Sequence, residues 1–424
     1  MAEEANAGGS LNLASSHSEK TSLPAIDGSC QAKPQHNQHN SFTEQARLVL
    51  QACHDNNVDA LIELAASKGG FVNDDVRKIA WPILIGSNLP SNIPSKQVPW
   101  QTLPQHYYEI NNEQVAKDVA RSFVYYPFPE HDRPKELECL RKELEDVIVE
   151  VLRRHPRLAY YQGFHEIAQV LFLVLGKELS PLALRRISLL RLRDHLLIDD
   201  QMGTIPHLRL LAPILFAADK EVFGLLPPNP HPNTGIQAVI TLYAHDIHNY
   251  ADIARLWDFL LASPAVMAVY FYAVIMLDRK EELLSLDPDY YGDDGIMSTI
   301  FQKYPQPKDM DRLIFAATQL YEQHPPERLP FHAWSKVSET SVLVTTIDVT
   351  TLTKQTLEEG EVWHEKDRKR LLRVKAFNGM VKIAKRHWWV YRRSLHKHRR
   401  PLMFTLAVAV GVVGLWLGRR RVIW

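Results

Sequence analysis

The chain has 424 residues, 46% hydrophobic and 23% charged, with 49 Lys plus Arg against 49 Asp plus Glu and three cysteines. These figures exclude a disulfide-built mini-protein, a collagen-like repeat and a wholly disordered chain, and the length allows one large domain or two ordinary ones with tails. Cys30, Cys53 and Cys139 are odd in number and widely spaced, so they suggest neither a disulfide framework nor a thiolate zinc site, and a reducing compartment is the natural home.

The zero net charge is a cancellation. From Glu361 to Trp424 there are 17 Lys plus Arg and 3 Asp plus Glu, whereas residues 1–360 hold 32 basic and 46 acidic residues. An acidic body followed by a basic segment points to two environments.

In chain order, residues 1–40 are rich in Ser, Asn and Gln without apolar periodicity and read as a disordered tail. The acidic start lacks the basic region and apolar core expected of a secretory signal, and its acidic residues argue against a mitochondrial transit peptide. From Ser41 the apolar spacing becomes helical. Leu137, Leu140, Leu144, Val147, Ile148 and Val151 recur at steps of three and four, as do Phe164, Ile167, Ala168, Leu171, Phe172 and Leu175. Further helices are expected at 42–66, 74–85, 103–123, 181–198, 206–224, 234–248, 251–262, 264–284 and 309–323. Pro-rich breaks such as 127–134 separate them. The β-branched run at 341–353 suggests a short extended piece. The economical reading is one all-α domain over 42–325, followed by a linker over 326–400.

Residues 401–418 carry no charge and lie between two basic clusters. At ~1.5 Å per residue they form a helix of roughly 27 Å, close to the thickness of an endoplasmic-reticulum bilayer. Only the short basic and apolar segment 419–424 follows, so the span reads as a transmembrane tail anchor inserted after synthesis. The basic stretch Lys366 to Arg400, with Trp388, Trp389 and Tyr391, fits a juxtamembrane segment on anionic headgroups. Lys and Arg interleaved with aromatics also suit nucleic acid, but position favours the membrane. Gly414 and Gly418 match a weak helix-pairing pattern.

The sequence has no phosphate-binding G-x-x-x-x-G-K-[ST], no G-x-G-x-x-G after a strand, no H-E-x-x-H and no G-x-S-x-G. His245 and His248 are spaced i, i+3 but have no matching third ligand, so no metal is assigned.

Two segments remain. Residues 115–122, VAKDVARS, match an I-x-x-D-x-x-R fingerprint with Val115 at its first position, and residues 160–163, YYQG, match Y-x-Q. Arg77 to Trp81 (RKIAW), then residues 241–246 (TLYAHD) with Arg255 to Asp258 (RLWD), which includes Trp257, complete the order. This constellation, spread over residues 77–258, resembles the TBC domain, a GTPase-activating module for Rab GTPases. The segments DVARSFVYYP and HPRLAYYQGFHEI, with the apolar C-terminal run, are most similar to family members anchored in the endoplasmic-reticulum membrane.

The resemblance implies a multi-helix Rab-GAP fold with a C-terminal transmembrane helix. It also implies an arginine finger at Arg121 and a glutamine finger at Gln162, supplied in trans, with Asp118 and Tyr160 as supports. Arg77, Trp81, Arg255, Trp257 and Asp258 are expected to be scaffold. GTP and Mg²⁺ would enter with the partner GTPase, so the chain needs no cofactor and has no independent enzyme activity. The implied partners are a Rab of the early secretory pathway and, through 401–418, a lipid bilayer; no nucleic acid is involved. The implied location is the endoplasmic-reticulum membrane, or early Golgi, with the domain in the cytosol. A membrane-bound Rab-binding scaffold or tether without catalysis is the alternative.

Overall fold

The computed structural model describes residues 44–88, 98–104, 109–126, 134–197, 202–226, 235–291, 295–296, 299–300 and 309–419. The N-terminal tail over 1–40, Cys30 and residues 420–424 lie outside them. The described residues are helical, with no strand.

The expected helix over 42–66 is two helices, α1 (Glu44–His54) and α2 (Val58–Ala66). Asn56 turns the chain at φ +48°, and the Asn57 side chain caps α2 by accepting from the Ala60 N–H at 3.1 Å. The next helix, α3 (Asp74–Ile85), has the bounds expected from its pattern because both stop signals are in the sequence. Asn73 accepts from the Val76 N–H at 3.1 Å, and Gly86 closes the helix at φ +74°. A Cβ at Gly86 would stand 2.2 Å from the Thr353 carbonyl oxygen, so glycine also permits a close chain crossing.

Helix α4 (Glu109–Val119) leads to the long pair α5 (Pro134–Arg154) and α6 (Phe164–Leu190). Gly176, at φ +73°, kinks α6 and divides it near the two stretches that the periodicity separates. By length and composition α6 is the one described helix apolar enough to cross a membrane, yet most of it is buried in the domain core. It packs against α5 and α3. Each fully buried Leu, Ile or Phe on these faces contributes roughly 1.5–3 kcal/mol.

The expected helix over 206–224 is three pieces, α7 (Ile205–Leu208), α8 (Leu211–Ala218) and α9 (Lys220–Gly224). Asp219 interrupts it by capping α9 through the N–H groups of Glu221 and Val222. Only α10 (Ile236–Ile240) forms within 234–248, because Leu242 and Tyr243 both take positive φ. Helices α11 (Tyr250–Leu261), α12 (Met267–Asp278), α13 (Lys280–Leu284) and α14 (Met310–Gln323) follow, with α12 buried almost all round against α8 and α14.

Where β-branched residues suggested an extended piece, the chain forms α15 (Val342–Thr345) and α16 (Val349–Lys354). Ser341 and Asp348 cap their N-termini, and these local hydrogen bonds outweigh the strand preference of Val and Thr. Buried Asp194 accepts from the Ser341 hydroxyl, and Arg193 donates to the Thr340 carbonyl, tying this region to the domain.

The final helix, α17, runs from Leu357 to Arg419. Gly360 lets its start approach α6, since a Cβ there would lie 2.9 Å from Leu189 Cβ. Farther on its side chains face outward, Phe377 and Trp388 among them, and every described residue over 408–414 is exposed. Cys53 is a buried free thiol.

Candidate functional site

Val115 and Val119 anchor the last turns of α4 in the core, which places Asp118 on the same buried face. The N–H groups of Arg121 and Ser122 donate to the carbonyls of Asp118 and Val119 at 3.0 and 2.9 Å, closing the helix just before Arg121. Phe123 then turns the chain at φ +63°. That turn is held because the Phe123 N–H donates to Gln169 Oε1 at 3.1 Å and Arg141 donates to the Ser122 carbonyl at 3.1 Å. Arg121 emerges from this fixed base with its side chain 60% exposed.

The second segment, 155–163, joins α5 to α6. Its Leu158, Tyr160 and Tyr161 are buried, and the Tyr161 hydroxyl donates to the Ile240 carbonyl at 2.6 Å. Gly163 stands at φ +107° at the entrance to α6, where a Cβ would meet Thr241 Cγ2 at 2.7 Å. Glycine is therefore required there. Gln162 is exposed between these buried flanks.

Asp118 joins the two segments. This carboxylate, with no exposed side-chain surface, accepts from the Arg121 guanidinium, from the Tyr160 hydroxyl at 2.8 Å and from the Gln114 amide at 2.9 Å. Burial, with the carboxylate beside it, raises the Tyr160 phenol above its ordinary range and keeps it protonated as a donor. Arg121 and Gln162 open onto one cleft of about 450 Å³, whose walls include Phe123, Tyr125, Glu166 and His245.

Glu166 Oε1 accepts from His245 Nδ1 at 2.6 Å, and this bond raises the His245 pKa. Neighbouring His165 is held below its ordinary value by burial, and burial raises Asp246 to about 6. His248 turns away from His245 and stacks on Tyr125, ring centroids 3.8 Å apart. No three His, Cys, Asp or Glu residues converge as metal ligands among the described residues. The cleft can present a cation and an amide side by side to an anionic group that enters it.

Arg77, Trp81, Arg255, Trp257 and Asp258 do not line this cleft; they converge in the core. Asp258 accepts from Arg77 Nε at 3.0 Å, from the Trp81 indole at 2.9 Å and from the Phe71 N–H at 3.1 Å. Arg255 donates to the carbonyls of Ala65 and Ser67 and to Asp311. The Trp257 indole donates to the Leu242 carbonyl at 3.1 Å, and its ring lies 5.8 Å from that of Trp81. Gln169 and the Glu166–His245 pair are site residues to which the motifs assign no role. Polar residues within the otherwise apolar run 164–175, Glu166 and Gln169 among them, are the signal that the sequence offers.

Residues 74–284 match the RabGAP-TBC model, the Rab-GTPase-TBC domain. TBC1 domain family member 20 of Bos taurus is 33% identical over 276 residues, covering 64% of this chain and 65% of that protein. The Mus musculus protein of the same name is 32% identical over 287 residues, covering 66% and 68%. The chain thus aligns with about two thirds of the length of these relatives. A solved Ypt/Rab-GAP domain, that of Gyp1p, has a TM-score of 0.46 at 14% identity over 65% of this chain and 98% of that one. The domain that carries Arg121 and Gln162 is all-helical, and the chain belongs to the RabGAP-TBC family.

Proposed function

We propose that the chain accelerates GTP hydrolysis by a Rab GTPase, with Arg121 and Gln162 entering the partner's nucleotide site. The observation that carries this is the Asp118 carboxylate, which ties the base of Arg121 to Tyr160 while Arg121 and Gln162 share one open cleft. Rab hydrolysis is slow because charge developing on the phosphoryl group is poorly neutralised and the attacking water is loosely held. Arg121 addresses the first defect: its planar, permanently charged guanidinium offers several fixed donors. Such a finger supplied in trans contributes ~10³–10⁵ in rate, about 4–7 kcal/mol. Gln162 addresses the second, since its amide both accepts and donates and can orient water. The buried flanks Tyr161 and Gly163 limit its movement. GTP and Mg²⁺ come with the Rab.

The apolar run 401–418 is proposed as a membrane anchor. A helix with apolar side chains exposed all round, as at Val408, Val410, Val412 and Val413, is unfavourable in water and favourable in lipid. An endoplasmic-reticulum location and a Rab of the early secretory pathway are proposed on the sequence resemblance. Confinement of both proteins to one membrane would raise their effective concentration.

Single-turnover hydrolysis with a panel of GTP-loaded Rabs tests the activity. Arg121→Ala is expected to abolish most acceleration and Gln162→Ala a large part. Unchanged hydrolysis with Arg121→Ala would remove the finger assignment, and Rab binding without acceleration by the intact chain would support a scaffold. For the anchor, a reporter fusion truncated before Arg400 should become cytosolic; retention on membranes would refute the assignment.

A further inference from the structure

The segment that carries Gln162 is held at its far end by Tyr160 on Asp118 and Tyr161 on Ile240. Its near end is held by α17, which lies wholly beyond the family-matched residues 74–284. His155 Nδ1 donates to Glu361 Oε1 at 2.7 Å. Arg185 Nε donates to the other ring nitrogen at 3.0 Å, so the ring is neutral and its Nδ1 carries the proton. Arg157 pairs with Glu365 at 3.5 Å. The Leu196 carbonyl accepts from the Ala159 N–H at 2.8 Å and from His364 Nε2 at 3.0 Å. Glu361, His364 and Glu365 are spaced i, i+3, i+4, so one face of α17 meets the segment directly at His155 and Arg157 and, through the shared Leu196 carbonyl, indirectly at Ala159. Trp363, under the Arg193 guanidinium at 4.9 Å, fixes the rotation of the helix.

We infer that α17 is a positioning element for the glutamine and that Glu361, His364 and Glu365 act through the 155–163 segment to set where Gln162 stands. This rests on the assignment of Gln162 as a finger. It gives the C-terminal helix a part in the rate of hydrolysis in addition to any part in location. Catalytic geometry is demanding enough for this to matter, since a misplacement of ~1 Å costs on the order of 10²-fold in rate. Glu361 and Glu365 are suitable for a test because both sit at the edge of the contact, at 51% and 20% side-chain exposure, and their truncation opens no core cavity.

The test uses the full chain in detergent and GTP-loaded Rab at varied concentration. The double variant Glu361→Ala/Glu365→Ala is expected to lower kcat about tenfold with KM nearly unchanged, because contacts that act on the glutamine alone are realised in the transition state. Glu361→Gln, which keeps an acceptor for His155, should retain most of the rate. Lys366→Ala, a change on the same helix that breaks only an exposed pair with Glu339, outside that helix, should leave kcat as it was. Placed on Gln162→Ala, the double variant should cause no further loss, since both changes act through one group. Amide exchange over 159–163 should quicken in the double variant and not in Lys366→Ala, a readout that survives a change in stability. An equal loss in Lys366→Ala, a full further loss on the Gln162→Ala background, or no loss in the double variant would each overturn the inference. If Gln162→Ala itself hydrolyses at the full rate, the finger assignment fails and the inference falls with it.

Discussion

Replacing Asp118 by Asn separates the support of Arg121 from the chemistry of Arg121. The exchange keeps the side-chain volume and leaves an acceptor for Tyr160, but removes the buried charge on which three donors converge. The ion pair with Arg121 itself adds little stability, because the guanidinium is 60% exposed and such pairs are worth about 0–1 kcal/mol. The hydrogen bonds from Tyr160 and Gln114 weaken roughly by half when the acceptor becomes neutral, a loss of about 1–2 kcal/mol in total. The domain should therefore stay folded. Catalysis should fall further. A freed Arg side chain must again lose rotamer entropy of about 2 kcal/mol to reach its working pose, which limits the loss to about 30-fold. Removing the guanidinium loses ~10³-fold or more. Single-turnover hydrolysis with Asp118→Asn should therefore fall between wild type and Arg121→Ala, with circular dichroism unchanged. Wild-type rates would show that Arg121 needs no holding. Loss equal to that of Arg121→Ala in a folded protein would show that Asp118 does more than position it.

Three further outcomes are expected. Gly163→Ala places a side chain at φ +107° and 2.7 Å from Thr241, so it should lose about 1–3 kcal/mol in thermal melts and lower hydrolysis through its neighbour Gln162; an unchanged melting point would refute this. Asp258→Ala leaves the buried Arg77 guanidinium with Asp74 alone and strands the Trp81 indole N–H and the Phe71 N–H, and should lose about 3–5 kcal/mol, read as unfolding or a sharply reduced denaturation midpoint. Burial holds His155, His165 and His364 below their ordinary value and His195 at about 3, against 6.5 for a free imidazole. Each is neutral in the fold, so the unfolded chain binds more protons below pH 6.5, and the stability present above that pH is lost as pH falls toward the folded values. At about pH 5 the loss from His195 alone is about 2 kcal/mol. Asp246, raised by burial to about 6, works in the opposite sense and returns about 1 kcal/mol at about pH 5, less than His195 loses, and His245, raised by Glu166, does so too but is 45% exposed and offsets little. Melts between about pH 7.5 and 5 should show Tm falling; a flat or rising Tm would contradict the burial argument.

The elements that could be read from the chain are those whose signals are local. Helix α3 has its expected bounds because Asn73 and Gly86 stand next to it and act on their immediate neighbours. The breaks at Asn56, Asp219 and Leu242 were not legible, because apolar periodicity continues through them while the backbone turns. At Ser341 and Asp348 the cap was written in the sequence, but β-branched neighbours carried the weight. The site divides in the same way. Arg121 and Gln162 lie in short motifs and can be found from them. What holds them is long-range: Tyr160 reaches Asp118 across 42 residues, His245 reaches Glu166 across 79, and Glu361 reaches His155 across 206.

That last contact changes the meaning of the charge division near residue 360. The opposed charges of body and C-terminal segment suggest two separable parts joined by a linker. Yet the acidic residues that remain after 360, Glu361, Glu365 and Asp367, are the ones that bond back to the domain, through His155, Arg157 and Ser338. Beyond Asp367 no acid remains, and the helix faces outward. The sign of the charge along α17 thus marks where contact with the body ends. A helix that is one continuous element across that point transmits rotation and tilt, which a flexible linker would not. The orientation of the basic end is therefore mechanically joined to the segment that carries Gln162.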